Sequence, residues 1–382
     1  MKCFDSYDKS NFKTDPQHAI NFFKKLGRFW TIWPVSANAS RFTKVYHECS
    51  LWFIIINLFF ASLTLWMSVC VYHKYPILMA KNLSQLMIIS DSFTHLVLYR
   101  INRSELQVLV QEVFDFMKNS KQNEKYIMRK HYNRFLGHYT ILIVLYVIAS
   151  LAFFCGAFIL GKKFPMDASY PFSTDSILVS SIIFTHQTFS IVQNSVLIMI
   201  DLLVITLFWY AGARIKILGY KFKIVDSNEK LKNCIKEHQK IIQYVASIVK
   251  AVRFILYKTI SIVAIIIISA GLQLLYYDAK VVISQFSLII IVACFRIITY
   301  SSTIEEMNQL NEDLRWTVYK SSWFCITSEM KQCLQIFIHR CQIPLVTIDG
   351  QLLNIMSLAF FAKLIYSTVS HLTTLRAIIE RS

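Results

Sequence analysis

The chain has 382 residues, 55% of them hydrophobic and only 16% charged, with a mean hydropathy of +0.45. That balance excludes an ordinary soluble domain, whose surface needs more charge. The net charge of +17 does not point to nucleic acid: its lysines and arginines are interleaved with aromatic and aliphatic residues, as over 118–135, a pattern that suits helices emerging beside anionic membrane lipid.

Phe (29) and Tyr (19) are abundant while Gly (8) and Pro (6) are scarce, which favours long, largely unbroken helices in one membrane-embedded domain. The first forty residues mix polar, charged and aromatic types and lack a continuous apolar run before a small-residue cleavage site. No removable signal peptide is expected, so the first membrane helix would direct insertion. A span needs about 20 mostly apolar residues. Clear windows lie at 50–72, 137–161, 177–210, 254–276 and 281–304, and weaker ones at 78–99 and 345–375. The weaker pair carries Asp91 and His95, and Lys363 with a row of Ser and Thr, respectively. Polar groups on a spanning helix turn toward protein, a cavity or water, so these two helices are expected to be the most interior or pore-related. Asp201 is expected to pair with a basic group near the inner end of its helix, and Arg296 to snorkel to the cytoplasmic interface.

The charges between windows set the orientation. Residues 1–50, 100–134, 212–258 and 296–340 hold 8, 8, 11 and 5 Lys or Arg, which puts 32 of the 40 basic residues on one side. The positive-inside rule then places the N-terminus in the cytoplasm and, with seven spans, the C-terminus outside. The sequon Asn82-Leu83-Ser84 falls near the first external loop, close to the membrane, while Asn38-Ala39-Ser40 would be cytoplasmic and silent. The nine cysteines are odd in number and fall in membrane or cytoplasmic segments, so no disulfide framework is implied.

Two cytoplasmic runs carry apolar residues at steps of three and four: Leu231, Ile235, Ile241, Ile242 and Val245, then Met307, Leu310, Leu314 and Val318 followed by Met330, Leu334 and Phe337. They fit a helical bundle below the membrane, packed within one subunit or between subunits. Phosphate-binding glycine loops, HExxH, paired-cysteine metal patterns and GxSxG are absent from the sequence, and its ten histidines form no compact group. No enzyme, cofactor or metal is expected.

In the last window Pro344 marks a restart and Gly350 permits close backbone approach. Beyond it Ser367, Ser370, His371, Thr374 and Ile378 fall near one face, with Phe360, Phe361, Leu364, Val369 and Leu372 as packing surface. Such a stripe could line a water-filled conduit with a dewetting constriction if several copies met around an axis. Ordinary Ser/Thr-mediated helix packing fits it too.

Certain residues carry a family pattern: Val318-Tyr319-Lys320-Ser321-Ser322-Trp323, then Pro344-Leu345, Gly350, Ser357, Phe361, Leu364, Thr368, Ser370 and Leu375, with Tyr170-Pro171-Phe172 and Glu237-His238 upstream. On these the sequence resembles the insect seven-transmembrane odorant receptor family. It is more similar to a ligand-tuned receptor than to the shared co-receptor, whose second cytoplasmic loop would be much longer. The chain departs from the family at His371, where an aromatic residue is common, and in an unusually acidic segment before Leu314.

The resemblance implies an all-α polytopic membrane protein of seven transmembrane helices with a cytoplasmic N-terminus and an intracellular helical anchor. It divides the chain into 1–304, with six helices and an outer-half ligand pocket, the anchor at 305–343, and a pore-lining seventh helix at 344–382. It implies an odorant-gated, non-selective cation channel, four subunits around one pore, combining this chain with the co-receptor in the plasma membrane of olfactory neuron dendrites. The ligand would be a small volatile organic molecule. Pocket candidates are Phe93, His95, Phe153, Phe154, Phe158, Phe184, Thr188, Ile191, Gln285 and Phe286. Pore candidates are Ser367, Ser370, His371, Thr374 and Ile378, with Thr374 and Ile378 at the gate. Two alternatives stand beside this: a seven-helix receptor acting through a soluble transducer, which would put the basic segments outside, and a membrane transporter, for which no internal repeat is evident.

Overall fold

The computed structural model describes residues 27, 40–225, 227–320, 327–346 and 357–381. The described chain is almost wholly helical: α1 Arg41–Val71, α2 Pro76–Ile101, α3 Arg103–Asn119, α4 Gln122–Ile159, α5 Ile177–Gln193, α6 Val196–Phe222, α7 Asn228–Tyr276, α8 Lys280–Tyr319, α9 Ser328–Cys341 and α10 Leu358–Ile379. Ser321, Ser322, Trp323 and residues 347–356 of the last window, Gly350 among them, lie outside the described residues, as does Asn38 of its sequon.

Helix α1, the α5–α6 pair, and helices α4, α7 and α8 are long and apolar enough to cross a membrane. Helices α2 and α10, the polar pair of the sequence, are 26 and 22 residues long. At about 1.5 Å per residue both exceed the roughly 30 Å hydrocarbon thickness. The seven-helix membrane fold is therefore as the sequence implies. The helix starts are locally encoded. Ser40, Ser227 and Ser357 cap α1, α7 and α10 by accepting from the amides of Thr43, Lys230 and Phe360, and Pro76 opens α2 where its missing N–H costs nothing.

One feature differs from the expected layout. The fourth window is not one rod: it breaks at Asn194–Ser195 into α5 and α6, the polar residues there finding partners on other helices. Asn57 donates to Ser190 Oγ (2.9 Å) and Gln193 Oε1 (2.7 Å), and Ser92 donates to Asn194 Oδ1. The inner ends run past the membrane as expected of the basic segments, since α4 starts at Gln122 and α7 at Asn228, where charged helix-formers continue the apolar spans. Asn82 is 2% exposed inside α2, which removes its sequon as an acceptor site.

The cytoplasmic runs pack within the chain. Leu231, Ile241 and Val245 of α7, Met307, Leu314 and Val318 of α8, and Met330, Leu334 and Phe337 of α9 are all buried. Helix α8 passes residues 304–305 without interruption, so the sixth span and the anchor share one rod. At the centre His238 Nε2 donates to Asn311 Oδ1 (2.8 Å), whose amide donates to the Cys341 carbonyl (2.9 Å).

Burial pushes the His238 imidazole below its ordinary 6.5, and in the cytoplasmic part of α4 burial, with Lys216 and Arg134 nearby, pushes His131 to about 3. Both are neutral when folded. Below pH 6.5 the unfolded chain binds protons that the folded one refuses, so stability is complete above that value and declines as pH falls. Thermal melting of the purified protein should drop by several degrees from pH 7 to 5, and the variant His131→Gln with His238→Gln should lose most of that dependence.

Candidate functional site

The helices enclose a cavity of about 90 Å³ whose wall is largely aliphatic, with Ile88 and Ile89 of α2, Phe153 of α4, Leu197 of α6, Val263 and Ile266 of α7, and Ile289 and Val292 of α8. Gln85, Tyr146, Ser150 and Asn194 supply polar points, and Asp91 and Arg296 reach it from below.

The floor is an ionic network. Arg296 of α8 donates to Asp201 of α6 through Nε and, at 3.2 Å, a second guanidinium nitrogen, and to Asp91 of α2 through the third. Lys258 of α7 also meets Asp91, at the carboxylate and at the backbone carbonyl (3.0 Å). The Tyr300 hydroxyl donates to Asp201 at 2.6 Å, and His95 lies between the carboxylates, 3.3 Å from Asp91 and 3.2 Å from Asp201. Counting along α2, α7 and α8, these charges sit roughly 22–27 Å below the helices' outer ends. Arg296 therefore does not snorkel: its side chain is 3% exposed and bound inside the bundle. Asp201 has found its basic partner, at depth.

The roof is the segment between α4 and α5. Gly161, at φ +62°, ends α4, with Gly161 N donating to Phe158 O and Lys162 N to Ala157 O, a turn that reverses the chain over the bundle. Met166 then lines the cavity, its amide donating to Gln187 Oε1 at 2.7 Å. Asp167 clamps this roof. Its carboxylate meets Lys81 (2.9 Å) and Lys162 (2.8 Å), its amide donates to Gln85 Oε1 (3.0 Å), and its carbonyl accepts from Ser68 Oγ (2.7 Å). Tyr170 accepts from Gln187 Nε2 at 3.0 Å.

Burial raises the Asp167 carboxyl, but Lys81 and Lys162 outweigh it and hold the group below its usual range. Its contribution is present above about pH 3.8 and lost only as pH falls through the depressed value, so the clamp is intact near neutrality. Asp167→Asn keeps the shape and removes the charge. Amide exchange over 162–170 should quicken about tenfold, the equivalent of about 1.4 kcal/mol.

Of the residues singled out from sequence, Phe153 and Ile191 line the cavity. His95 lies beneath the floor, fully buried. Phe286 backs Phe153 edge-on at 6.2 Å, and Gln285 donates to Ala152 O (2.9 Å) against Gly156. Phe93 packs on Phe59 of α1. Phe154, Phe158 and Phe184 form a separate aromatic trio on the outer side, Phe158 being 59% exposed, and Thr188 is half-buried nearby on α5 without lining the cavity. Tyr146, Ser150, Asn194, Gln85, Met166 and Lys258 were not foreseen. Four ionisable residues at equivalent depth on four spans, two acidic and two basic, were the signal that would have found the floor.

Ser367, Ser370, His371, Thr374 and Ile378 share one exposed face of α10. Its other face rests on α7 and α8, with Thr368 buried and Leu372 against Gly271. The backbone on either side of residues 347–356 is held by α8: Leu345 N donates to Asn308 Oδ1 (2.9 Å) and Leu358 N to Glu305 Oε2 (2.7 Å). No group of three metal-ligating side chains occurs among the described residues.

Residues 75–369 match the family model for the 7tm Odorant receptor. Comparison with curated proteins by sequence gives no match. Among solved structures the chain is similar to the insect olfactory receptor OR5 from Machilis hrabei, with a TM-score of 0.81 and 17% identity, covering 94% of this chain and 97% of that one. The structure of the same receptor in complex with eugenol gives a TM-score of 0.81 at 17% identity, over 96% and 100%. At that identity the likeness is one of fold.

Proposed function

The chain belongs to the seven-transmembrane odorant receptor family, and from that premise we propose that it is a ligand-tuned subunit of an odorant-gated, non-selective cation channel. It is a multi-pass membrane receptor, not an enzyme, and the cavity beneath the Asp167 clamp is its odorant site. Eugenol occupies the insect receptor of like fold, which supports a small organic ligand here. In this reading the channel is a tetramer with the co-receptor, located in the dendrites of olfactory neurons. The face of α10 carrying Ser367, Ser370, His371, Thr374 and Ile378 lines the pore, and the region 305–343 is the anchor.

The observation that carries this reading is the continuity of α8. One 40-residue helix lines the cavity with Ile289, Val292 and Ala293, supplies Arg296 to the floor, and holds both approaches to α10 through Glu305 and Asn308. A ligand that favours one position of this rod biases α10 directly, and a preference of about 1.4 kcal/mol shifts the equilibrium tenfold. The test is membrane current during rapid application of volatiles to cells expressing this chain with and without an insect odorant co-receptor. A ligand-evoked cation current that needs both chains is expected. A response abolished by blocking a soluble transducer, with both chains verified at the surface, would overturn the proposal.

A further inference from the structure

Resting on the reading of the cavity as the odorant site, we propose that it selects an uncharged ligand bearing one hydrogen-bonding oxygen on an apolar body, and that Tyr146 and Ser150 read that oxygen. The first argument is charge. Asp91 and Arg296 reach the cavity, but with Asp201 and Lys258 they form a closed set of two carboxylates and two cations, each already paired. A carboxylate or ammonium ligand would bring an uncompensated charge to membrane depth or break one of these pairs, both of which are costly. Acids and protonated amines are thereby rejected.

The second argument is the hydroxyls. Tyr146 is 6% exposed, lines the cavity, and finds no hydrogen-bond partner among the described residues. Ser150 lies four residues on, along the same face of α4, and is likewise unpartnered in the lining. A serine or threonine on a helix commonly bonds back to the carbonyl four residues earlier, as Thr140 does on the same helix at 2.9 Å. Both side chains face the cavity, Ser150 being half-buried, and a ligand oxygen set between the two hydroxyls supplies the hydrogen bond that no neighbouring side chain among the described residues gives them. Most of the remaining wall is apolar and suits a hydrocarbon body. A hydrocarbon of the same shape leaves both hydroxyls unmet, and a site built to bond a polar group rejects the analogue that lacks it.

The experiment measures saturable binding to the purified full chain by thermal shift, using 1-hexanol, heptane, hexanoate and hexylammonium and their butyl-to-octyl homologues. The alcohols should bind at least tenfold more tightly than the alkanes, and the two ions should not bind. Tyr146→Phe should erase most of the alcohol's advantage while leaving alkane affinity unchanged, with Ser150→Ala acting in the same direction. Equal affinity for alcohol and alkane, saturable binding of either ion, or an unchanged preference in both variants overturns the inference and leaves the odorant cavity standing. No saturable binding by any of the series overturns the cavity reading and the inference with it.

Discussion

Replacing Arg296 with leucine is expected to remove most folded receptor. The guanidinium is 3% exposed and satisfies Asp201 and Asp91, which are 0% and 1% exposed. With it gone, one carboxylate keeps Lys258 and the other is left facing His95 and Tyr300 alone. Breaking a buried pair by removing one partner costs about 3–5 kcal/mol, a large part of a typical folding free energy. Thermal melting in detergent and the surface fraction in cells should both collapse. Neutralising the whole set together (Arg296→Met, Lys258→Met, Asp91→Asn and Asp201→Asn) should recover much of the loss, because no lone charge remains. A fully stable Arg296→Leu protein would show that water or lipid headgroups, not these helices, satisfy the carboxylates.

A second large effect is expected where α10 meets the bundle. A Cβ at Gly271 would lie 2.7 Å from Leu372 Cδ2 and 3.4 Å from its Cδ1, so the two helices touch because α7 has no side chain there. Gly271→Leu cannot be absorbed by a rotamer change of Leu372 alone and displaces α10 from its own bundle, toward the axis in the proposed channel. The odorant concentration for half-maximal current should rise at least tenfold, with cavity binding to the isolated chain unchanged. Leu372→Ala in the same chain restores the space and should return sensitivity, so the two substitutions are strongly non-additive, as residues in contact are. Additive losses would mean that the contact does not transmit gating.

The fold was legible because hydropathy and charge asymmetry are strong signals in a membrane chain: six windows correspond to α1, α2, α4, the α5–α6 pair, α7 and α8. The break at Asn194 was not, because apolar residues continue on both sides and the partners that make it tolerable, Asn57 and Ser92, lie on α1 and α2. The aromatic candidates scattered for a related reason. Lipid and protein interior are equally apolar, so composition does not tell Phe153, which lines the cavity, from Phe158, which faces outward. Arg296 was misread for want of its partners: an arginine above a basic cytoplasmic segment looks like an interface anchor until Asp91 and Asp201 are seen beside it. The acidic run before Leu314 gains its meaning only in three dimensions, where Glu305 caps the approach to α10 and Glu306 pairs with Arg134.

The most direct test of coupling between cavity and pore is the accessibility of single cysteines at Thr374 and Ile378 to a charged, membrane-impermeant thiol reagent. It would be applied from outside to cells expressing this chain with the co-receptor, with and without odorant. The account predicts that the two positions react much faster while odorant is bound, that modification alters the current, and that a cysteine at Tyr366, 81% exposed on another side of α10, does not follow the odorant. Equal reactivity at Thr374 and Ile378 in both conditions, with odorant-evoked current intact, would contradict the assignment of that face of α10 to the gate.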